Sequence, residues 1–210
     1  MLGFGRAMSI FLVRHGETAS NAARIIQTSD APLSERGILQ AERLARRLAD
    51  LGVEAIATSD YPRALMTAES VRRATGASID LWPELRERSF GALRGRSYAE
   101  CAVDIFGPDF APPGGETWDE FHARVARAWR GIEARAAATR GNLAVVTHGL
   151  VCASIVERLV GFRDPAAPRG WPNACLTILS TQVPRAVELL ACTRHLADLA
   201  ADRGPEGGAV

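Results

Sequence analysis

The sequence contains no lysine, and all 25 of its basic residues are arginine. An enzyme without lysine cannot form a Schiff base through a lysine amine, and it cannot hold a nucleotide phosphate with a P-loop lysine. Arginine stays charged and presents a planar fork of N–H donors that matches phosphate and carboxylate groups. Positive side chains that bind an anion in this chain must therefore be guanidinium groups or protonated histidines.

Cysteine is also scarce. The four cysteines, Cys101, Cys152, Cys175 and Cys192, lie far apart and form no CxxC pair. This spacing argues against a zinc ribbon and against a thioredoxin-type redox site. We expect reduced, mostly buried thiols, as in a cytoplasmic protein.

Long apolar runs and an excess of charge of one sign are missing as well. No run of about 18 apolar residues occurs, so no membrane-spanning helix is predicted. Residues Met1–Ala7 contain one arginine and no long apolar segment, so they do not resemble a signal peptide, and we interpret them as either a loose leader or a misplaced start. The formal net charge is only +1, which does not suit a strongly basic nucleic-acid binder. We expect a cytoplasmic protein with no membrane and no nucleic-acid partner.

The composition that remains is that of an ordinary globular domain. Hydrophobic residues make up 47% and charged residues 23% of 210 residues, which is enough for one sizeable core without metal or disulfide cross-links. We predict a single domain over residues 9–198. Residues 1–8 and 199–210 are predicted to be flexible termini.

Short apolar runs alternate with segments of helical spacing. Strands are predicted at Ser9–Val13, Glu54–Thr58, Ser78–Leu81, Leu143–Thr147, Ala174–Ser180 and Ala186–Ala191. Helices are predicted at Arg36–Leu51, Tyr61–Thr75, Tyr98–Phe106, from the N-cap Thr117 to about Thr139, and at Leu150–Val160. This alternation predicts an α/β layered fold with a largely parallel sheet. In such a sheet the active site lies at the carboxyl ends of the strands.

Two histidines follow predicted strands and stand next to glycine. Arg14-His15-Gly16 comes directly after the first strand, and His148-Gly149 follows the strand at Leu143–Thr147. A histidine in this setting is poorly suited to core packing, whereas the adjacent glycine lets backbone N–H groups approach a ligand. We therefore expect both histidines at one edge of the sheet, in a binding site.

Charged side chains accompany the two histidines. Arg14 and Arg63 offer two guanidinium forks, and Glu87 follows the third strand. A phosphate group carries about −1.5 to −2 charge near neutral pH, which two guanidinium groups would nearly neutralise. A neutral imidazole in such a pocket can attack phosphorus, and a carboxylic acid can protonate the leaving alcohol. Because arginine and histidine supply the positive charge, this chemistry requires no metal ion.

The order and spacing of these motifs resemble the histidine phosphatase superfamily, which includes the cofactor-dependent phosphoglycerate mutases. The resemblance covers about Ile10 to Leu196. It implies a three-layer α/β/α fold of the phosphoglycerate mutase type, with a central, mostly parallel sheet. The matching segments are Arg14–Thr18 with Asn21, Pro32–Gly37 with Gln40-Ala41, Ser59-Asp60 with Arg63-Ala64 and Thr67-Ala68, Leu85 with Glu87-Arg88 and Gly91, Gly114–Thr117, and His148-Gly149.

The resemblance also implies a role for each candidate site residue. His15 matches the histidine that is phosphorylated. Glu87 falls where the family places its proton donor, although Glu17 and Glu116 compete for that role. No metal ion and no cofactor are expected. The phosphate cradle is Arg14, Arg63 and His148, assisted by Asn21.

Three departures from the family pattern bear on the substrate. The loop from Asn21 to Asp30 is one residue short, and it carries Thr28 where relatives often have glycine. Leu150 follows His148-Gly149, where mutases usually have asparagine. The segment before the long helix also lacks the longer basic insert of mutases.

These features favour a phosphatase. The leading interpretation is a metal-independent phosphomonoesterase that hydrolyses a small phosphorylated metabolite through a phosphohistidine on His15. The alternative is a 2,3-bisphosphoglycerate-dependent phosphoglycerate mutase, and a third interpretation is a binding protein that has lost catalysis. The expected partner is a small-molecule phosphate ester, and a homodimer is left open.

Other charged residues are given mainly structural interpretations. His122, inside the long helix, and His195, near the C terminus, are interpreted as structural. Four arginines flank the pocket loop, where they either form a solvated face or contact a second anionic group of the substrate: Arg86, Arg88, Arg94 and Arg96.

Overall fold

The computed structural model describes residues 8–164 and 170–200. Residues 1–7 of the predicted leader and residues 201–210 of the predicted C-terminal tail lie outside the described part of the chain. In the described ranges, no helix is both long enough and apolar enough to cross a membrane.

The core of the protein is a six-stranded sheet with the strand order β3-β2-β4-β1-β5-β6. Its strands are β1 (Ser9–Arg14), β2 (Val53–Thr58), β3 (Ser78–Leu81), β4 (Asn142–Thr147), β5 (Leu176–Ser180) and β6 (Val187–Cys192). The first four strands pair in parallel, whereas β5 runs antiparallel to β1 and to β6. The sheet is therefore mostly parallel, as predicted.

Strand β1 is central and buried on both faces. Its apolar residues alternate between two core clusters, because side chains along a strand point to opposite sides of the sheet. Ile10 and Leu12 belong to one cluster and Phe11 and Val13 to the other, and all four are at most 3% exposed. A continuous apolar run is typical of a parallel strand that is covered on both faces.

Helices cover both faces of the sheet. The helices of the described residues are α1 (Ala19–Ala22), α2 (Glu35–Ala49), α3 (Pro62–Thr75), α4 (Trp118–Ala138), α5 (Gly149–Ala153) and α6 (Ala197–Ala200), of which α2 to α5 pack on the sheet. Helices α2 and α3 pack on the face of Phe11 and Val13, whereas α4 and α5 pack on the face of Ile10 and Leu12. The predicted three-layer α/β/α fold of the phosphoglycerate mutase type is confirmed.

The helix ends follow local sequence signals. The hydroxyl groups of Ser34 and Thr117 accept hydrogen bonds from the first turns of α2 and α4, which is the usual role of an N-cap side chain. Helix α3 starts with a proline and ends at Gly76, whose φ of 74° is the left-handed conformation that favours glycine. Most predicted bounds differ from the observed ones by one or two residues.

One predicted element is wrong. The helix predicted at Tyr98–Phe106 is only a single 3₁₀ turn, Tyr98–Glu100. The chain then continues as turns that include Pro108, Pro112 and Pro113, and proline disfavours helix because it lacks an N–H donor. The short helices α1 and α6 were not predicted. Helix α5 continues into a wide π-helical turn at Ser154–Leu159, within the predicted span Leu150–Val160.

Candidate active site

The two histidines come together because their strands are neighbours. Arg14 and Thr147 are register partners at the carboxyl ends of β1 and β4, and each histidine is the next residue. The His15 N–H donates to the Thr147 carbonyl at 2.9 Å. The imidazole centroids of His15 and His148 are 5.1 Å apart, in an edge-to-face arrangement.

The ring of His15 is held in one tautomer. Its Nδ1 lies 2.6 Å from the carbonyl oxygen of Gly16, and a carbonyl can only accept, so Nδ1 carries the hydrogen. The lone pair is therefore on Nε2. Burial, followed by the nearby Arg63 and Arg14 cations, holds the pKa of His15 well below its ordinary value of 6.5. Near neutral pH, this side chain is uncharged, and its Nε2 lone pair is chemically able to attack an electrophile.

The loop that carries His15 is fastened to both neighbouring helices. The Gly16 N–H donates to the Thr67 hydroxyl of α3 at 3.1 Å, and the Glu17 N–H donates to the Gln40 side chain of α2 at 2.8 Å. Gly37, in the first turn of α2, approaches so closely that an added Cβ would overlap the Glu17 carbonyl oxygen. Glycine at this position lets the helix and the loop touch through their backbones.

Arg63 is a buried cation with unused hydrogen-bonding capacity. It is 2% exposed, and its Nη1 donates to the Thr28 carbonyl at 3.0 Å. Its Nε is buried without a hydrogen-bond partner. Burial lowers the pKa of Arg63 to about 10, against the opposing effect of Glu87, so the side chain is still charged at neutral pH. A buried unpaired donor next to a nucleophile suits an anionic ligand.

Arg14 and Asn21 reach the same cavity from the β1 end. One amino group of Arg14 donates to the Trp171 carbonyl, which fixes the guanidinium at the cavity wall. The side-chain oxygen of Asn21 accepts from the Asn173 amide at 3.1 Å and from the backbone N–H of Thr18 at 3.3 Å. With its oxygen engaged in this way, Asn21 is left with its amide N–H groups as donors for a ligand.

His148 is oriented by a serine. Its Nε2 lies 2.8 Å from the Ser59 hydroxyl, which also accepts from the Tyr61 N–H at 3.3 Å. Its Nδ1 is buried without a hydrogen-bond partner. Burial first, and then the charges of Arg63 and the other residues around the site, hold its pKa well below the usual value. If the serine donates to Nε2, the Nδ1–H becomes a donor for an anion.

Glu87 lies on the opposite wall, with both carboxylate oxygens bound to backbone N–H groups. One oxygen accepts from Arg88 and the other from Leu150, each at 3.1 Å. Burial raises the pKa of Glu87 above its ordinary value, against these hydrogen bonds and the Arg14 and Arg63 cations. A carboxyl group with a raised pKa next to a phosphate cradle is suited to act as a general acid.

A charged clamp holds the segment that carries Glu87. Arg124, on α4, forms a bidentate pair with Glu116, with nitrogen–oxygen distances of 2.8 and 2.7 Å. The same guanidinium donates to the carbonyls of Glu84 at 2.7 Å, Arg86 at 2.8 Å and Glu87 at 3.4 Å. The position of Glu87 is therefore tied to the long helix.

The competing acids lie elsewhere. Glu17 accepts from the Ser34 hydroxyl at 3.2 Å and lies 4.0 Å from Arg36 at the start of α2. Glu116 is engaged by Arg124 and by the Ser89 N–H at 2.8 Å. Of the three carboxylates considered from the sequence, Glu87 alone lines the cavity.

The four flanking arginines have different surroundings. Arg86 pairs with Asp60, and Arg88 is buried, with its donors on the carbonyls of residues 105, 110 and 116. Arg94 lines the cavity and donates to the Tyr61 hydroxyl at 3.2 Å. Arg96 does not line the cavity.

The remaining histidines make contacts of a structural kind. His122 lies 2.9 Å from the Ser154 hydroxyl and stacks on Trp118. His195 is bound between Arg47 and the Ala174 carbonyl.

Sequence reasoning missed three residues that position the site. Ser59 contacts His148, and the Trp171 carbonyl holds Arg14. The Asn173 amide donates to the His15 carbonyl at 3.2 Å as well as to Asn21. Ser59 stood within a matched motif, but Trp171 and Asn173 lie in a loop without any recognisable pattern.

The site opens into a cavity of about 610 Å³. Arg14, Asn21 and Arg63 are part of its lining, whereas His15 and His148 are almost fully buried and do not themselves line it. Among the described residues, no three His, Cys, Asp or Glu side chains are grouped so that they could hold a metal ion. The donors gathered here, guanidinium and amide N–H groups, match an anion such as phosphate.

Known proteins are similar to this chain in sequence and in fold. Residues 10–191 match the family described as Histidine phosphatase superfamily (branch 1). "Probable phosphoglycerate mutase GpmB" of Cronobacter sakazakii is 35% identical over 164 residues, which is 73% of this chain and 75% of that protein. Bacillus stearothermophilus YhfR aligns with a TM-score of 0.80 and 30% identity over 90% of this chain and all of its own. A mycobacterial glucosyl-3-phosphoglycerate phosphatase aligns with a TM-score of 0.75 and 27% identity, over 87% of this chain and 98% of its own.

Proposed function

The chain belongs to branch 1 of the histidine phosphatase superfamily and is a phosphatase of that type, and on this premise we propose that it hydrolyses a phosphomonoester through a phosphohistidine on His15, without a metal ion. One observation carries the proposal: His15 is uncharged, has its lone pair on Nε2, and lies close to the guanidinium groups of Arg14 and Arg63, which line the cavity. A phosphate in this cradle meets a nucleophile and positive charge together.

The first half of the reaction transfers the phosphoryl group to the enzyme. The Nε2 lone pair of His15 forms a bond to phosphorus while the bond from phosphorus to the ester oxygen breaks. Arg14 and Arg63 stabilise the charge on the non-bridging oxygens, and His148 donates a further hydrogen bond. Glu87, protonated at the start, gives its proton to the leaving oxygen, so that an alcohol departs.

The second half returns the enzyme to its starting state. Glu87 is now a carboxylate and takes a proton from a water molecule as the water oxygen attacks phosphorus. The bond from phosphorus to Nε2 breaks, and inorganic phosphate leaves. His15 is uncharged again, and Glu87 is protonated for the next cycle.

The test is phosphate release from a panel of phosphomonoesters in the presence of a chelator. His15→Ala is expected to abolish turnover without unfolding the protein. His122→Ala is the matched control, because it removes a histidine outside the cavity. Acid-labile phosphate on His15 after quenching is expected in the intact protein. Turnover that survives in His15→Ala, or that disappears with chelator, would refute the proposal.

A second candidate activity is phosphoglycerate mutase, which the name of the 35% identical protein of Cronobacter sakazakii favours. A mutase needs a phosphoenzyme that persists long enough to return its phosphoryl group to a second sugar acid. Leu150, next to Glu87, presents an apolar side chain where mutases usually have asparagine. A coupled assay with 3-phosphoglycerate, with and without priming by a bisphosphate, separates the two activities.

A further inference from the structure

The part of the cavity beyond the phosphate cradle is lined mainly by apolar side chains, with Gln27, Tyr61 and Arg94 among the polar ones. Resting on the proposed hydrolase function, we infer that the alcohol released from the substrate is bulky and largely apolar, of the size of a bicyclic aromatic group. The first observation is volume: 610 Å³ lies within the roughly 300–1,000 Å³ of pockets that enclose drug-sized ligands. A three-carbon sugar acid would fill only a small part of this cavity, and water in contact with apolar side chains would occupy the rest.

One wall of the cavity is an aromatic and aliphatic cluster. The rings of Phe90 and Phe106 meet edge to face at 6.0 Å, and the Tyr98 ring lies 5.9 Å from Phe106. This wall, which we call the aromatic wall, consists of Ile26, Phe90, Tyr98, Phe106 and Leu150. Phe90 is 7% and Ile26 1% exposed, so the wall is the inner surface of a small core rather than a mobile fringe.

Backbone hydrogen bonds keep the aromatic wall in place. The Ile26 N–H donates to the Arg96 carbonyl and the Gly95 N–H donates to the Ile26 carbonyl, both at 2.8 Å. The Tyr98 N–H donates to the Arg24 carbonyl at 3.0 Å. The loop after α1 is thus joined to the loop after Glu87, and the wall is formed before a ligand arrives.

The opposite side of the cavity is also mostly apolar. It is lined by Ala153, Val156, Phe162, Trp171 and Leu190. The charged side chains on this side, Glu157, Arg163 and Asp164, are exposed and lie at the rim. A flat apolar group would therefore meet mainly apolar side chains on two sides, with Arg88 and Arg94 as the further cations of the described lining.

The proton donor lies directly beside the apolar part. Leu150 donates its backbone N–H to Glu87, while its side chain packs with the aromatic wall. The carbon that carries the ester oxygen must therefore lie next to Leu150 when Glu87 protonates that oxygen. A glycerate carboxylate in this position would lose water, which is costly unless a cation pairs with it. Arg88 is already committed to three backbone carbonyls, and one amino group of the cavity-lining Arg94 donates to the Tyr61 and Ser89 hydroxyl groups at 3.2 and 3.3 Å.

The test uses esters that differ only in the alcohol. Glycerol 3-phosphate, benzyl phosphate and naphthylethyl phosphate are all dianionic esters of primary alcohols, so differences in kcat/KM report binding of the alcohol. We expect kcat/KM to rise along this series by on the order of 10- to 100-fold, as expected from the added apolar area. A flat series, or a preference for glycerol 3-phosphate or 3-phosphoglycerate, would overturn the inference.

Matched variants locate the effect. Phe106→Ala removes a ring from the aromatic wall, and we expect the preference for the naphthyl over the glycerol ester to fall roughly tenfold. Phe110→Ala is the control, because Phe110 packs with the same cluster but does not line the cavity. Leu150→Asn keeps the backbone donor to Glu87 and is expected to lower the same preference. Equal preferences in Phe106→Ala and Phe110→Ala would contradict the assignment.

The two proposals fail in different ways. If no ester of the series is hydrolysed, or if His15→Ala hydrolyses them equally well, the proposed function is wrong. If all three esters are hydrolysed through His15 without preference for the larger alcohols, the hydrolase stands and the inference about the alcohol falls.

Discussion

Replacing Arg124 by methionine should lower both the stability of the protein and the rate at which Glu87 protonates the leaving group. The change keeps the length and apolar stem of the side chain but removes a guanidinium that holds Glu116 and three backbone carbonyls. Removing one partner of a fully buried ion pair costs about 3–5 kcal/mol, whereas an exposed pair contributes about 0–1 kcal/mol. The side chains of Arg124 and Glu116 are 15% and 23% exposed, so water can replace part of what is lost. We expect a loss of about 3 kcal/mol in the free energy of unfolding.

Urea denaturation measures this loss, and Arg127→Met is the matched control because Arg127 is exposed on the same helix. A double-mutant cycle with Glu116→Gln isolates the ion pair from the carbonyl contacts. Burial opposes ionisation of Glu116, but Arg124 and the Ser89 N–H outweigh it and lower the Glu116 pKa. A lowered pKa means that the pair stabilises the protein above pH 4.5 and that this effect is lost as pH falls through the folded pKa. The cost of Arg124→Met should therefore shrink at acidic pH.

The same variant should also slow catalysis in a way that depends on the leaving group. Because Arg124 fixes the backbone that carries Glu87, we expect kcat for an alkyl ester to fall by roughly 10- to 100-fold. The rate on 4-nitrophenyl phosphate should fall less, because nitrophenolate leaves without protonation. A loss of stability below about 1 kcal/mol, or equal effects on both esters, would refute the view that this clamp positions the acid.

Three more outcomes follow from the site. Glu87→Gln should lower kcat on alkyl esters by about 10²–10⁴-fold and affect 4-nitrophenyl phosphate much less; equal losses would exclude Glu87 as the acid. In a plot of kcat/KM against pH, the fall on the acidic side should reflect protonation of His15, whose pKa is lowered below 6.5. The fall on the alkaline side should reflect ionisation of Glu87, whose pKa is raised above 4.5. The alkaline limb should vanish in Glu87→Gln, and its persistence there would assign it to another group. Gly37→Ala should cost several kcal/mol or displace the His15 loop, because its Cβ overlaps the Glu17 carbonyl; unchanged melting and turnover would show that the contact can relax.

The sequence predicts the fold well where one strong local signal sets an element. Apolar strands such as Ser9–Val13 and capped amphipathic helices such as α2 are readable because burial and capping act on adjacent residues. The segment Tyr98–Phe106 shows the limit. Tyr98 and Phe106 belong to the aromatic wall, and Cys101 and Ile105 pack in the same cluster, so their spacing reflects packing around a cavity rather than a helix face.

From the sequence, only the site residues that lie within recognisable motifs could be predicted. His15 and His148 were placed together because the carboxyl ends of parallel strands meet. No motif marks Asn173. Its amide donates to the His15 carbonyl and to the Asn21 side chain, each more than 150 positions earlier in the chain. The choice of Glu87 over Glu116 also depends on contacts, since only the structure shows Arg124 engaging Glu116.

The place of β1 in the sheet has a consequence for synthesis of the protein. Both of its neighbours, β4 and β5, begin only at residues 142 and 176. At roughly 5–20 residues per second, β1 leaves the ribosome on the order of 10 s before its first partner strand exists. During that time a segment with strong β propensity, whose one charged residue is Arg14 at its end, has two unpaired edges, which can pair with another chain. The strand that directly precedes His15 is thus also a segment open to aggregation and chaperone binding until the last third of the chain is made.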